Sequence, residues 1–80
     1  MGTKAQQSDE YQRLTAFLRS MREGAGLTQR ALGERLRKPQ SWVYNCETAN
    51  RRVDLTEFIA WAVACKVDPA DAFTRFLNLF

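Results

Sequence analysis

The sequence predicts an all-α domain of five helices. Three observations carry that prediction. Apolar residues recur at spacings of three and four, helix-starting and helix-stopping residues punctuate the chain, and no segment reads as a convincing strand. The 80 residues make one small domain, because a second core would leave roughly 40 residues to each, too few to fold unaided. With 45% hydrophobic and 26% charged residues, the chain is too apolar to be disordered. Connections of about two to six residues suit a compact helical bundle.

Residues 1–7 read as a flexible polar tail and residues 8–80 as the folded domain. Ser8 or Asp9 can start the first helix, with Asp9 and Glu10 at its positive end. Tyr11, Leu14, Leu18 and Met21, with Phe17 beside them, form its apolar stripe, and Arg13, Arg19 and Arg22 fall mostly off it. Gly24 and Gly26 end it, since glycine reaches the positive φ that helix ends often need. Thr28 caps a short second helix carrying Ala31, Leu32 and Leu36. Pro39 fits the start of a third, whose apolar positions are Trp42, Val43 and Cys46. Thr48 to Arg52 is a polar, basic loop. Asp54 with Glu57 makes a capping box for a strongly apolar fourth helix. Asp68-Pro69 opens the fifth, along which Phe73, Phe76, Leu77 and Phe80 recur at helical spacing.

Several chemistries are excluded or disfavoured at once. The chain has no histidine, which removes histidine acid–base chemistry and histidine metal sites. Its two cysteines, Cys46 and Cys65, are isolated and stand at helical apolar positions, so they read as small core residues. No nucleophile–base pair or phosphate loop can be assembled, so an enzyme is not expected, and neither a cofactor nor a small-molecule ligand is evident. No apolar run approaches the roughly 20 residues that span a bilayer, and thiols without a signal peptide point to the cytoplasm.

The informative region is Leu27 to Arg52. Two short helices joined by a tight turn at Arg37-Lys38 make a helix-turn-helix, in which the first helix braces and the second offers polar residues to a major groove. Gln40, Ser41, Tyr44 and Asn45 lie opposite the apolar positions Val43 and Cys46. Glutamine and asparagine amides can bond bidentately to adenine, and serine can serve several base edges. Arg51 and Arg52 follow the helix, where arginine can reach phosphates. The +3 net charge is uneven: residues 1–52 hold ten Lys+Arg against five Asp+Glu, and residues 53–80 hold two against four. An anionic partner therefore suits one side only.

At these residues the chain resembles a known family. The run Leu18-Arg19-x-x-Arg22-Glu23-x-Ala25-Gly26-Leu27-Thr28-Gln29, then Leu32-x-Glu34-Arg35-Leu36, Pro39-Gln40-Ser41-x-Val43 and Glu47, looks like the Cro/CI-type, or XRE-like, helix-turn-helix family. The likeness covers about residues 11 to 69. It implies a five-helix lambda-repressor-like bundle. It also implies a dimeric, sequence-specific regulator of transcription, expected to be a repressor, on double-stranded DNA. Carried onto this chain, it implies phosphate binding by Gln29 and base reading by Gln40, Ser41, Tyr44 and Asn45. It further implies backbone contact near Trp42 and a phosphate-gripping loop at Asn50, Arg51 and Arg52. Arg37 and Ala49 stand where the family commonly has glycine.

Each reading has a plainer rival. The polar residues of the third helix can be a solvated surface, and Glu47 can serve a local salt bridge or cap. The stripe of Phe73, Phe76, Leu77 and Phe80 can close the core over the first helix, but so many large rings in so small a domain favour a homodimer contact. The competing functional class is a protein-interaction module, an antitoxin or adaptor, anchored by Trp42, Tyr44 and the phenylalanine-rich end.

Overall fold

The computed structural model describes residues 8–80; the tail expected at residues 1–7 lies outside them. The described residues form five helices and no strand: α1 (Asp9–Gly24), α2 (Gln29–Leu36), α3 (Gln40–Glu47), α4 (Leu55–Ala64) and α5 (Pro69–Leu77).

The helix starts follow the cap residues. Ser8 accepts from the Tyr11 N–H, Thr28 from the Ala31 N–H and Asp68 from the Ala70 N–H, each satisfying a donor that the first turn leaves orphaned. Asp54 and Glu57 form the reciprocal capping box at α4. Pro39 differs by one position: it is the N-cap residue of α3, just outside the helix, and offers no side-chain cap. The α1 terminus passes through Ala25 to Gly26, whose φ of 74° makes the turn.

The core holds Leu18, Leu32, Val43, Cys46, Phe58, Trp61, Ala62, Cys65 and Ala72. Trp61 lies at its centre, fully buried, its indole N–H donating to the Leu18 carbonyl at 3.0 Å. Both cysteines are free and buried, and burial pushes both thiols above their ordinary pKa.

The buried line of α1 is not the purely apolar one. It runs Tyr11, Thr15, Leu18, Arg22, while Leu14, Phe17 and Met21 are half-buried beside it. Both polar members are satisfied: Thr15 donates to the Gln12 carbonyl, and Arg22 is paired with Glu47. Arg22, which periodicity puts off the stripe, is thus inside. Glu47 does serve a salt bridge, but to a residue 25 positions away.

Of α5, only Ala72 is fully buried. Phe76 is half-buried, its ring 5.6 Å from that of Phe17 and 6.4 Å from that of Phe58. Phe73 and Leu77 remain exposed, as does Phe80, which lies beyond the end of α5 rather than along it. Core closure over α1 and an outward apolar face therefore coexist on one helix. Among the described residues, no helix is long and apolar enough to cross a membrane.

Candidate nucleic-acid interface

The turn between α2 and α3 rests on Gly33 and Arg37. Arg37 closes α2 in the left-handed region, φ 58° and ψ 43°, and the Lys38 N–H then donates back to the Gly33 carbonyl at 2.8 Å. Gly33 is buried, and a Cβ built there would sit 2.6 Å from the Lys38 carbonyl oxygen. The absence of a side chain at this one position lets the turn fold down onto α2.

Past the turn, α3 divides into two faces. Val43 and Cys46 enter the core. Gln40, Ser41 and Tyr44 are exposed, and Asn45 is half-buried at the edge of the same polar face. Trp42 turns inward: it is half-buried, its ring 6.3 Å from that of Trp61, with the cations of Lys38 and Arg51 over it at 5.3 and 4.9 Å.

A chain of hydrogen bonds fixes the polar face from behind. Arg22 holds Glu47 with two bonds, Nε to Oε2 at 2.6 Å and Nη2 to Oε1 at 3.1 Å, and also donates to the Leu27 carbonyl. Its guanidinium pKa is raised, mainly by the bond to Glu47. The Gln29 amide then donates to Glu47 Oε1 at 3.0 Å, and the Gln40 amide donates to Gln29 Oε1 at 2.7 Å. Four residues from three helices are thereby linked in series, the Arg22 and Glu47 side chains only 10% and 3% exposed.

The loop after α3 is folded onto the helix end. Ala49 takes the left-handed conformation, φ 63°, and the N–H groups of Asn50 and Arg51 both donate to the Asn45 carbonyl. The Asn50 and Asn45 side chains meet at 3.3 Å. Arg51 points back to the fold, bonding both Glu57 oxygens at 3.1 and 3.3 Å. That pairing raises the Arg51 pKa and holds the Glu57 carboxyl below its ordinary value. Arg52 is exposed, lying over the Tyr11 ring at 5.2 Å. The Tyr11 hydroxyl accepts from the Val53 N–H and donates to the Arg51 carbonyl, so α1 anchors the loop.

A family model described as a helix-turn-helix domain matches residues 13–73. Among solved structures, an XRE-family like protein from Pseudomonas syringae pv. tomato str. DC3000 is 35% identical, covers 98% of this chain and 95% of its own, and superposes with a TM-score of 0.83. This chain belongs to the XRE-like helix-turn-helix family. No curated protein matches it. At the level of the family it is a DNA-binding regulator, and the family is a binding rather than a catalytic one.

Within this helix-turn-helix domain, the nine candidate DNA-contacting residues divide by direction. Gln40, Ser41, Tyr44, Asn50 and Arg52 are exposed, and the half-buried Gln29 and Asn45 are bonded to Gln40 and Asn50. Trp42 and Arg51 are engaged with the scaffold. Three positions outside the candidate contacts also build the site. Gly33 is a glycine inside a helical pattern, and its role comes from the Lys38 carbonyl that packs where a Cβ would be. Arg22 and Glu47 carry opposite charges at positions facing the core, but nothing in their separation of 25 residues announces the pair.

Proposed function

We propose that this protein is a sequence-specific transcriptional repressor of the cytoplasm that binds double-stranded DNA as a homodimer. The observation that carries the reading is the exposed row Gln40, Ser41 and Tyr44 on α3, whose first member is held in place by Gln29. Gln40, Ser41, Tyr44 and Asn45 read bases. Gln29, with one amide hydrogen left over from its bond to Glu47, joins Asn50 and Arg52 in gripping phosphates. Arg51 and Trp42 contribute mainly by bracing that loop and helix, with at most their edges on the DNA backbone.

Dimerisation through Phe73, Leu77 and Phe80 accounts for the outward face of α5, while Phe76 serves the core and the rim of that surface. Half-sites of the operator then lie about one helical turn apart. Selection of bound sequences from a random duplex pool tests the reading. Recovery of a two-fold symmetric motif is the expected result, and recovery of no motif overturns it.

The same exposed apolar surface favours a second reading, an antitoxin or adaptor that holds another protein. A mobility shift on random DNA at low salt separates the two: a phosphate-gripping domain retards it, and a pure interaction module does not.

A further inference from the structure

The series Arg22–Glu47–Gln29–Gln40 has a direction. Arginine can only donate hydrogen bonds and an ionised carboxylate can only accept them. Glu47 is paired with Arg22 in a nearly buried bridge, and its carboxylate oxygens accept from both Arg22 and Gln29. Gln29 must therefore turn its amide nitrogen to Glu47 and its carbonyl oxygen to Gln40. Gln40 in turn must offer that oxygen its own nitrogen, and does so at 2.7 Å. What remains on Gln40 for an outside partner is one amide hydrogen and the carbonyl Oε1.

That remainder is a donor beside an acceptor. Adenine presents the complement in the major groove, an N7 acceptor beside an N6 amino donor, whereas guanine presents two acceptors, N7 and O6. Guanine suits a glutamine that can aim both amide hydrogens outward, and here one is already committed. We propose that the buried Arg22–Glu47 pair is a positioning element for base selectivity. Acting through Gln29, it fixes which end of the Gln40 amide meets the base edge, and so selects adenine over guanine. The inference rests on the DNA-binding reading above.

Glu47→Gln is the direct test. A carboxamide at 47 can still accept from Arg22 while donating to Gln29 Oε1. Gln29 can then flip, and Gln40 can present both hydrogens outward. The position read by Gln40 is first located as the one whose base preference Gln40→Ala removes. Duplexes carrying A or G there are then titrated with the full chain. Wild type is expected to favour adenine by about tenfold, the scale of one bidentate contact. In Glu47→Gln the ratio should fall to about twofold or less, with guanine gaining relative to adenine.

Arg22→Met with Glu47→Leu is the second variant. It removes both charges together and avoids stranding one of them, which buried pairs tolerate far better than a single deletion. It should lower the same ratio. The variant that keeps the wild-type circular dichroism is the one scored. A purely structural role weakens both duplexes in parallel and leaves the ratio unchanged, which overturns the inference. So does a wild type that binds its selected site with no adenine preference at the Gln40 position. A wild type that binds no DNA at all strikes down the DNA reading itself, and the inference with it.

Discussion

Gln40 and Arg52 are both polar and exposed, yet they stand in different situations. Gln40 begins α3 with its amide oriented by a partner, whereas Arg52 rests on the loop with its guanidinium over the Tyr11 ring. A directed amide suits a base edge; an exposed guanidinium suits a phosphate. Gln40→Ala should therefore cost about 1–3 kcal/mol on the preferred site and relax base preference at one position. Arg52→Ala should weaken binding to all DNA and lower the salt slope by about one. Titrations on specific and random duplexes at several salt concentrations check both, and identical behaviour of the two variants refutes the division of roles. Gly33 makes a third residue-scale case. Its missing Cβ leaves room for the Lys38 carbonyl, so Gly33→Ala must push the turn off α2. Overpacking of this kind typically costs about 1–3 kcal/mol, and a lowered melting temperature is expected.

At the scale of elements, the loop from α3 to α4 is held by charge and the helices by packing. Arg51 clamps the Glu57 carboxylate, and Glu57 also accepts from the Asp54 N–H in the capping box that starts α4. Both carboxyls have pKa values below their ordinary ones, Glu57 mainly through Arg51 and Asp54 mainly through the Glu57 N–H. A folded pKa below the unfolded one means that protonation favours the unfolded chain. The contribution is therefore complete at neutral pH and is lost as the pH falls below about 4.5, through the ordinary carboxylate range to the depressed folded values. Glu57→Gln should melt at a lower temperature than wild type at pH 7, and the gap should close as the pH is lowered through that window. A gap that stays constant with pH would show that the clamp does not depend on charge.

For the whole molecule, the unequal faces of α5 decide what a disruptive substitution can report. Phe76 packs on Phe17 and Phe58, so a charge there strikes the core as well as the surface. Leu77 is about half exposed and is the cleaner probe of assembly. Leu77→Asp should sediment as a monomer with its helical signal intact, and a dimer that persists refutes the proposed interface. The exposed apolar surface is also wider than the α5 stripe. Leu55, Ile59 and Val63 recur every four residues along α4 and are exposed too. Isolated apolar residues on a surface are ordinary, but contiguous ones around a second apolar helix mark a contact face. The positive charge lies mostly in residues 1–52, where Arg37 and Lys38 in the turn and Arg51 and Arg52 in the loop flank an α3 that itself carries no cation; α4 has none and α5 only Arg75.

Five helices, all their N-terminal signals except the exact place of Pro39, the turn between the second and third, and the polar row on α3 are legible in the sequence. These features are local. A cap depends on a residue and the N–H groups two or three places on, and a helical face depends on spacings of three and four, so each is written within one turn of chain. Cys46 and Cys65, isolated cysteines in an apolar pattern, also read as core residues, and both are buried. Where Trp42 and Arg51 point, how α5 divides between core and surface, and which charges pair follow from the packing of the helices. Arg22 and Glu47 are 25 residues apart and polar, so neither periodicity nor propensity places them together inside the fold. Burying a charge is tolerated only where an opposite charge arrives from another element, and that arrival is a property of how the helices pack. The same packing gives Gln29 its orientation and, through it, Gln40. The residues that face outward on α3 were legible as a list, whereas the direction in which each presents its donors and acceptors was not.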